Sequence, residues 1–489
     1  MEAVTMDNRR RWIALIVLCL GDLMIVLDAT IVNVALPSIR EDLGFSQTSL
    51  AWVVNAYLLT FGGFLLLAGR LGDLYGHRRL FLSGIALFTL ASLACGLSTT
   101  QGLLVTARAI QGFGGAIVSA VALSLIMTLF TEAGDRAKAM GVFGFVAAGG
   151  GTVGVLLGGI LTDLLTWHWI FLVNIPVGIA VFALCVVLLP ASRGPASDAR
   201  LDIGGAVTVT AALMLAVYAI VNGNSNGWTS AQTLGLLGAA IALFGIFLAL
   251  EARVKAPLMP LGLFKHRNLS VANVTAVLSA ASMFAMFFFS ALYMQLVLGY
   301  SPLEVGLAYV PNSVLMAALS LGISAKVVMR FGIKAPIVVG MLFSASSLLL
   351  FARAPVDGSY AVDLLPPLML LALGAGIAFN PMLLAAMGDV DQSEAGLASG
   401  VVNTSFMMGG ALGLAILASI ATSRTDNLLS SGVAQLEALN SGYHAAFLVG
   451  AIFAIGASTI AGVLLRPFPQ GMPTYEGAEI GPPATADAD

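Results

Sequence analysis

The run WIALIVLCLGDLMIVLDATIVNVALP, from Trp12 to Pro37, carries no charge except Asp22 and Asp28. About 20 apolar residues suffice for a helix to cross a bilayer, so this stretch reads as a membrane span that holds two carboxylates. Arg9, Arg10 and Arg11 precede it, as they would in a secretory signal, but no small-residue cleavage site follows. The segment is therefore expected to be retained as a first span.

The rest of the 489-residue chain has the same character, with 59% apolar residues, 10% charged residues and a mean hydropathy of +0.97. Soluble domains carry about 25% charged residues. So little polar surface cannot cover a water-facing shell, and much of the exterior has to face the lipid bilayer. The net charge of −3 supplies no concentrated basic face for a nucleic acid. Cys19, Cys95 and Cys185 lie inside apolar stretches, and His77, His168, His266 and His444 lack ligand spacing. No disulfide framework, metal site or cofactor is expected. No Gly-x-x-x-x-Gly-Lys-Ser/Thr loop occurs, which argues against ATP as a partner.

Fourteen stretches can cross a bilayer: 12–36, 50–69, 79–97, 102–130, 139–162, 169–189, 203–221, 231–250, 270–298, 303–325, 335–352, 363–387, 397–421 and 444–465. Positive charge tests that count, because Lys and Arg concentrate in cytoplasmic loops. With a cytoplasmic N-terminus, eighteen basic residues fall on the inner side and only Arg40, Arg353 and Arg424 on the outer; Arg108 lies within span 4. Both termini are then cytoplasmic.

An internal duplication supports the same division. At an offset of about 259 residues, Asp135, Ala139, Gly141, Gly150, Gly151 and Gly154 fall on Glu394, Ala398, Gly400, Gly409, Gly410 and Gly413. The loop Arg70...Gly76-His77-Arg78 likewise falls on Lys326...Gly332-Ile333-Lys334 at an offset of 256. The expected organisation is an N-terminal six-helix bundle (1–190), an inserted helix pair (191–250), an amphipathic cytoplasmic linker (251–269), a C-terminal six-helix bundle (270–466) and a disordered cytoplasmic tail (467–489). The linker is expected to lie on the inner leaflet, with Leu258, Leu261, Leu263 and Phe264 toward lipid. Two similar bundles facing each other are the architecture of an alternating-access transporter.

A charge at the bilayer centre costs roughly 2.5 to 3.5 kcal/mol even on a lenient scale, so each one needs a reason. At about 1.5 Å per residue, Asp28 lies roughly 13 Å and Arg108 roughly 9 Å below the same surface, close enough in depth to pair. Two readings stand: a static pair that fixes packing, or a carboxylate that is held charged beside Arg108 and takes up a proton when desolvated alone. Asp22 is deeper, near the midplane. It is either protonated and hydrogen-bonded to a neighbouring helix, or a negative charge for cationic substrates.

Several motifs connect these residues to a known family. Leu27-Asp-Ala-Thr-Ile-Val-Asn-Val-Ala-Leu-Pro37 resembles the first-span signature of the fourteen-helix drug:proton antiporter branch of the major facilitator superfamily. Gly69-Arg-Leu-Gly-Asp73-Leu-Tyr-Gly76-His-Arg78-Arg79 is similar to the superfamily loop between spans 2 and 3, and Arg108-Ala-Ile-Gln111-Gly112 to the fourth-span motif. Gly150-Gly151-Thr152-Val153-Gly154 with Gly158-Gly159 resembles the fifth-span antiporter motif, although Val155 stands where that motif has proline. Trp167-His-Trp169-Ile-Phe-Leu-Val-Asn174-Ile-Pro176-Val-Gly178 resembles the start of the sixth span, with His168 in place of an arginine. In the second half, Tyr293-Met-Gln295...Gly299-Tyr300-Ser301 and Gly396-Leu-Ala-Ser399-Gly400 also fit the branch.

The resemblance implies an all-α membrane protein that exports small amphipathic drugs or toxic compounds across the cytoplasmic membrane in exchange for protons. In that setting Asp28 and Arg108 couple the proton. Gly150, Gly154 and Gly158, spaced every fourth residue, allow close helix contact, read either as ordinary packing or as the moving interface between halves. Asp73, Gly76 and Arg78 form either a solvated turn or a charge latch, with Arg136 as candidate partner. Span 9 carries Met283, Phe284, Met286, Phe287, Phe288, Phe289, Tyr293 and Gln295 on every side of the helix, so much of this run is expected to contact lipid. Phe284, Phe288, Tyr293 and Gln295 are nevertheless candidates for an adaptable substrate wall. Asn55, Gln111, Asn312, Asn380 and Asn403 are candidate polar points in a central cavity. The alternative on the same scaffold is an exporter of a dedicated metabolite or lipid. A membrane enzyme would need clustered His, Asp or Glu near one interface, which the sequence lacks. A non-transporting receptor leaves Asp28 and Arg108 without a purpose.

Overall fold

The computed structural model describes residues 7–130, 132–189, 202–254, 257–319, 324–388, 390 and 394–466, so the tail expected to be disordered lies outside the described residues. The helices are α1 (Asn8–Leu43), α2 (Trp52–Tyr75), α3 (His77–Gly96), α4 (Gln101–Leu129), α5 (Ala133–Leu164), α6 (Trp169–Leu172), α7 (Asn174–Leu188), α8 (Ile203–Asn226) and α9 (Ala231–Arg253). They continue as α10 (Arg267–Leu292), α11 (Pro302–Ala318), α12 (Ser324–Phe331), α13 (Lys334–Phe351), α14 (Leu365–Met387), α15 (Ala395–Ser430) and α16 (Gln435–Leu464). Among the described residues there is no strand. That is what lipid demands, because a helix satisfies its backbone polar groups internally.

Twelve helical segments among the described residues are long and apolar enough to cross a membrane. The two other expected spans fall on α5, whose described apolar stretch is Val153–Leu164, and on α11, which has 17 residues. Helix ends are fixed by local chemistry. Thr100, Asp202 and Ser230 cap α4, α8 and α9, and Ser301 with Glu304 forms a reciprocal capping box on α11.

The duplication in the sequence is realised in packing. In the N-terminal half α1 packs on α5 and α7, α2 on α4, and α3 on α4 and α7. In the C-terminal half α10 packs on α15 and α16, α11 on α14, and α13 on α14 and α16, which is the same pattern. The halves meet through α5 with α11 and, symmetrically, α2 with α15. The related loop glycines Gly76 and Gly332 both have left-handed backbone, with φ of 92° and 70°. Here a side chain would be strained, so the turn between helices depends on glycine at both copies. The inserted pair α8 and α9 packs on itself, and α8 lies against both α2 and α15, bridging the two halves.

Several expectations need correction. Pro37 does not end span 1: α1 runs to Leu43 with Pro37 inside it and closes on Gly44, whose φ is 69°. Proline is tolerated inside a membrane helix because only one backbone hydrogen bond is lost and the packed surroundings hold the rest of the helix together. The linker is not a helix lying on the leaflet. Beyond Arg253 the one helical element described before α10 is a short 3₁₀ turn, Leu261–Lys265, and Leu258 and Leu263 are buried inside the protein. Burying them against Leu67, Ala206 and Leu269 removes them from water without any need for lipid.

The aromatic run on α10 is corrected as well. Met286, Phe288, Phe289 and Tyr293 are buried within the fold, and Met283, Phe284 and Phe287 are half-buried. The reason is position: α10 is surrounded by α14, α15 and α16 and also touches α1, so little of it reaches the membrane.

Candidate functional site

Asp28, at the centre of α1, is fully buried and forms an ion pair with Arg108 of α4, which is also fully buried. Every other helix of the half except α5 contributes to this cluster. From α2, the Val53 carbonyl accepts the Arg108 Nε proton at 2.9 Å, and the Tyr57 ring centroid lies 4.3 Å from the guanidinium carbon. Phe171 of α6 lies 5.6 Å from the same carbon. Gln111, one turn along α4, accepts from Arg108 Nη1 at 2.7 Å and donates to Asp28 Oδ1 at 2.7 Å. Asn174 of α7 donates to the same Oδ1 at 3.0 Å, while Ser92 of α3 accepts from Gln111 at 2.8 Å.

The two carboxylate oxygens therefore differ. Oδ1 is held by two neutral amides, and Oδ2 is held by Arg108. The Arg108 Nη2 group is buried without a partner. A charged group left partly unsatisfied in a low-dielectric site raises the energy of the arrangement, which makes it responsive to any change at Oδ2.

The other candidates are placed as follows. Asp22 is 3% exposed and accepts a hydrogen bond from Ser119 Oγ of α4 at 2.8 Å, so it has its own partner away from Arg108. Gln111 is corrected from a cavity point to a member of the ion-pair cluster, because all its amide atoms are engaged there. Asn312 is buried and donates to the Leu368 carbonyl at 2.7 Å, tying α11 to α14. Tyr293 donates to the Pro355 carbonyl at 2.5 Å and Phe288 packs edge-on to Phe289; both side chains are buried. Phe284 is half-buried against Phe406, Asn403 is half-buried on the Ser399 carbonyl, and Asn380 is exposed. Gln295, in a π turn after α10, donates at 2.9 Å to the Val34 carbonyl of α1, a bond between the two halves. Asn55 is fully buried and neither of its amide atoms has a partner.

Of the two readings of the glycine stripe, its contacts match the packing one. A methyl on Gly150, Gly154 or Gly158 would stand 2.9 Å from Leu23, 2.1 Å from Thr30 Oγ1 and 2.6 Å from the Ile31 carbonyl, respectively. All three contacts are with α1 of the same half. The neighbouring positions make the contact between halves: a methyl on Gly159 would stand 2.6 Å from the Pro302 carbonyl, and one on Gly306 3.2 Å from the Val155 carbonyl. In the loop between α2 and α3, Arg78 donates at 2.5 Å to the Val186 carbonyl in the last turn of α7, where a cation complements the helix dipole. The side chains of Asp73 and Arg136 lie outside the described residues.

Residues 18–414 match the Major Facilitator Superfamily model. The chain is 39% identical over 457 residues to a puromycin resistance protein of Streptomyces alboniger, covering 93% of this chain and 90% of that one. It is 37% identical over 454 residues to a cephamycin export protein of Amycolatopsis lactamdurans, covering 92% of each. A crystal structure of an auto-inhibited POT family peptide transporter superposes with a TM-score of 0.68 over 96% of this chain and 99% of that one, at 15% identity, which speaks to fold alone. Fourteen expected spans, two halves with one packing pattern and these matches lead to one conclusion: this multi-pass membrane protein belongs to the Major Facilitator Superfamily.

Proposed function

We propose that this protein exports small amphipathic compounds, antibiotics among them, in exchange for protons, as a member of the fourteen-helix drug:proton antiporter branch. The cephamycin export relative supports the efflux direction, and the puromycin resistance relative supports an antibiotic cargo. The observation that carries the coupling is the asymmetry of Asp28. Its Oδ1 is saturated by Gln111 and Asn174, so an incoming proton goes to Oδ2, where Arg108 already sits. Proton and guanidinium compete for one oxygen, and a proton that wins frees Arg108 to move. The C-terminal half has no counterpart, because Phe287 and Pro367 stand at the duplicated positions.

The concentration of Lys and Arg on one side supports cytoplasmic termini and a cytoplasmic-membrane location. Inward proton movement then supplies about 2.3 kcal/mol per 100 mV and about 1.36 kcal/mol per pH unit. The protein acts as a carrier with no chemical conversion of its cargo. Asp22, Phe284, Asn380 and Asn403 are the remaining candidates for substrate contact. A second reading, export of one dedicated product, is favoured by the name of the cephamycin relative.

Purified protein exposed to a compound panel tests both readings. Substrate-induced proton release by several unrelated compounds supports drug exchange, and release by one chemical class supports the dedicated exporter. Proton release by none while binding persists would overturn the exchange mechanism.

A further inference from the structure

An acidic pair lies outside the Asp28–Arg108 cluster, on the inserted helices. Asp202 caps the start of α8, and Glu251 sits in the last turn of α9; they are 5% and 3% exposed. Each has one oxygen committed to a backbone N–H. Gly205 donates to Asp202 Oδ1 at 2.7 Å, and Met259 of the linker donates to Glu251 Oε2 at 3.0 Å. The other oxygen of each, Asp202 Oδ2 and Glu251 Oε1, is buried with no hydrogen-bond partner. These two orphan oxygens share one gap, since a methyl on Gly205 would stand 2.7 Å from the first and 2.8 Å from the second.

We propose that Asp202 and Glu251 form a proton-binding site that holds one proton between their free oxygens and clasps the linker onto the inserted helix pair. Two buried carboxylates facing one gap repel when both are charged and no positive charge lies between them, and one shared proton removes that repulsion. A proton needs only the two free oxygens. A hard metal cation would need six or more oxygen ligands, and half of this set is already turned to backbone donors.

Few charged groups approach from the packed elements. From α2, Arg70 is engaged at 3.4 Å with the Pro257 carbonyl of the linker. Arg253 of α9 and Lys265 of the linker are exposed, and α15 meets α8 at its far end, where Asn224 donates to the Ser419 carbonyl at 2.7 Å. Among the described residues no ion pair reaches either carboxylate. With the proton bound, Glu251 keeps Met259, and Leu258 stays buried on Leu67 and Ala206. Once the proton leaves, two charges repel in the gap, Glu251 is driven away from Asp202, and the linker, held to Glu251 through the Met259 N–H, is carried off its seat on Leu67 and Ala206. The linker joins the inserted pair to the C-terminal half, so the clasp makes their connection depend on the pH at the face that carries the N-terminus.

The test uses the full chain in detergent with Cys19, Cys95 and Cys185 replaced and Leu258→Cys added, followed by maleimide labelling from pH 5 to pH 9. Each rate is taken relative to that of the same cysteine in denatured protein at the same pH, which cancels thiol ionisation; on that scale labelling should be slow at low pH and at least tenfold faster at high pH. Glu251→Gln keeps its carbonyl on Met259 and offers an amide hydrogen to Asp202, so labelling should stay slow throughout; Asp202→Asn should do the same. The double variant sets two amide donors against each other and should label fast at every pH. Fast labelling in both single variants, or a wild-type rate independent of pH, would overturn the proposal. So would slowing by magnesium or calcium at high pH. None of these outcomes depends on transport, so the proton-exchange reading is tested separately.

Discussion

At the residue scale, coupling rests on which oxygen of Asp28 a proton can reach. Asp28→Asn places an amide where Arg108 now sits, so the protein should insert and bind substrate but lose proton-driven accumulation in proteoliposomes. Full uphill export by this variant would move the carrier elsewhere. Arg108→Ala removes the competitor for Oδ2, and the pH optimum of residual transport should move upward. Breaking a buried pair costs about 3 to 5 kcal/mol, so thermal stability is measured alongside to separate unfolding from lost coupling. Asp22 behaves differently because Ser119 already supports it. If it also provides charge to cationic substrates, Asp22→Asn should weaken their binding by tenfold or more, about 1.4 kcal/mol, and leave neutral compounds unaffected. Equal effects on both classes would assign Asp22 to structure. The Asp28 and Arg108 depths were readable because two opposite charges in otherwise apolar spans lie at one level. Ser92, Asn174 and the Val53 carbonyl were not: their roles come from tertiary packing of α2, α3 and α7, and neither a lone serine nor a backbone carbonyl in an apolar span signals its partner.

At the scale of helices, the fifth-span stripe shows what periodicity does and does not reveal. Spacing of four marks a face that admits close approach, but not which helix approaches. Gly150, Gly154 and Gly158 receive α1, and their duplicates on α15 receive α10: methyls on Gly409 and Gly413 would stand 2.5 Å from Val277 Cα and 2.2 Å from Ala281 Cβ. The adjacent face, with Val155 and Gly159, meets α11. Substitutions on the two faces should therefore fail differently. Gly154→Ala overpacks one half and should lower thermal stability in detergent by about 1 to 3 kcal/mol. Gly159→Ala presses on Pro302 across the halves, and relief requires only that they separate there. It should leave stability nearly unchanged while raising the reactivity of a cysteine at Leu303 and lowering transport. A reversed pattern would put the moving contact back on the stripe.

For the whole molecule, symmetry does most of the work, and the inserted pair is the part that symmetry does not explain. Each half alone accounts for its helices by duplication, which is why the two bundles were legible from offsets of 256 and 259 residues. The pair α8 and α9 has no such partner, and its position follows only from packing. A methyl on Gly63 of α2 would stand 2.0 Å from Thr210 Oγ1 of α8, and Asn224 of α8 donates to Ser419 of α15. Helix α8 thus holds to one half in its first third and to the other near its end, on the seam where α2 meets α15. Two crossings by the pair return the chain to the side it left and keep the alternation of basic loops, which makes the crossing itself the thing to test. Single cysteines at Ser197 and Ser225 in a cysteine-free background test the crossing. Ser225 is exposed at the end of α8, so an impermeant reagent should reach it from outside intact cells, and Ser197 only after the inner face is opened. Labelling of both from one side would remove the inserted pair and the fourteen-span count; because two crossings are lost together, every later loop would keep its face, so the charge bias alone does not decide between twelve and fourteen spans and this labelling does.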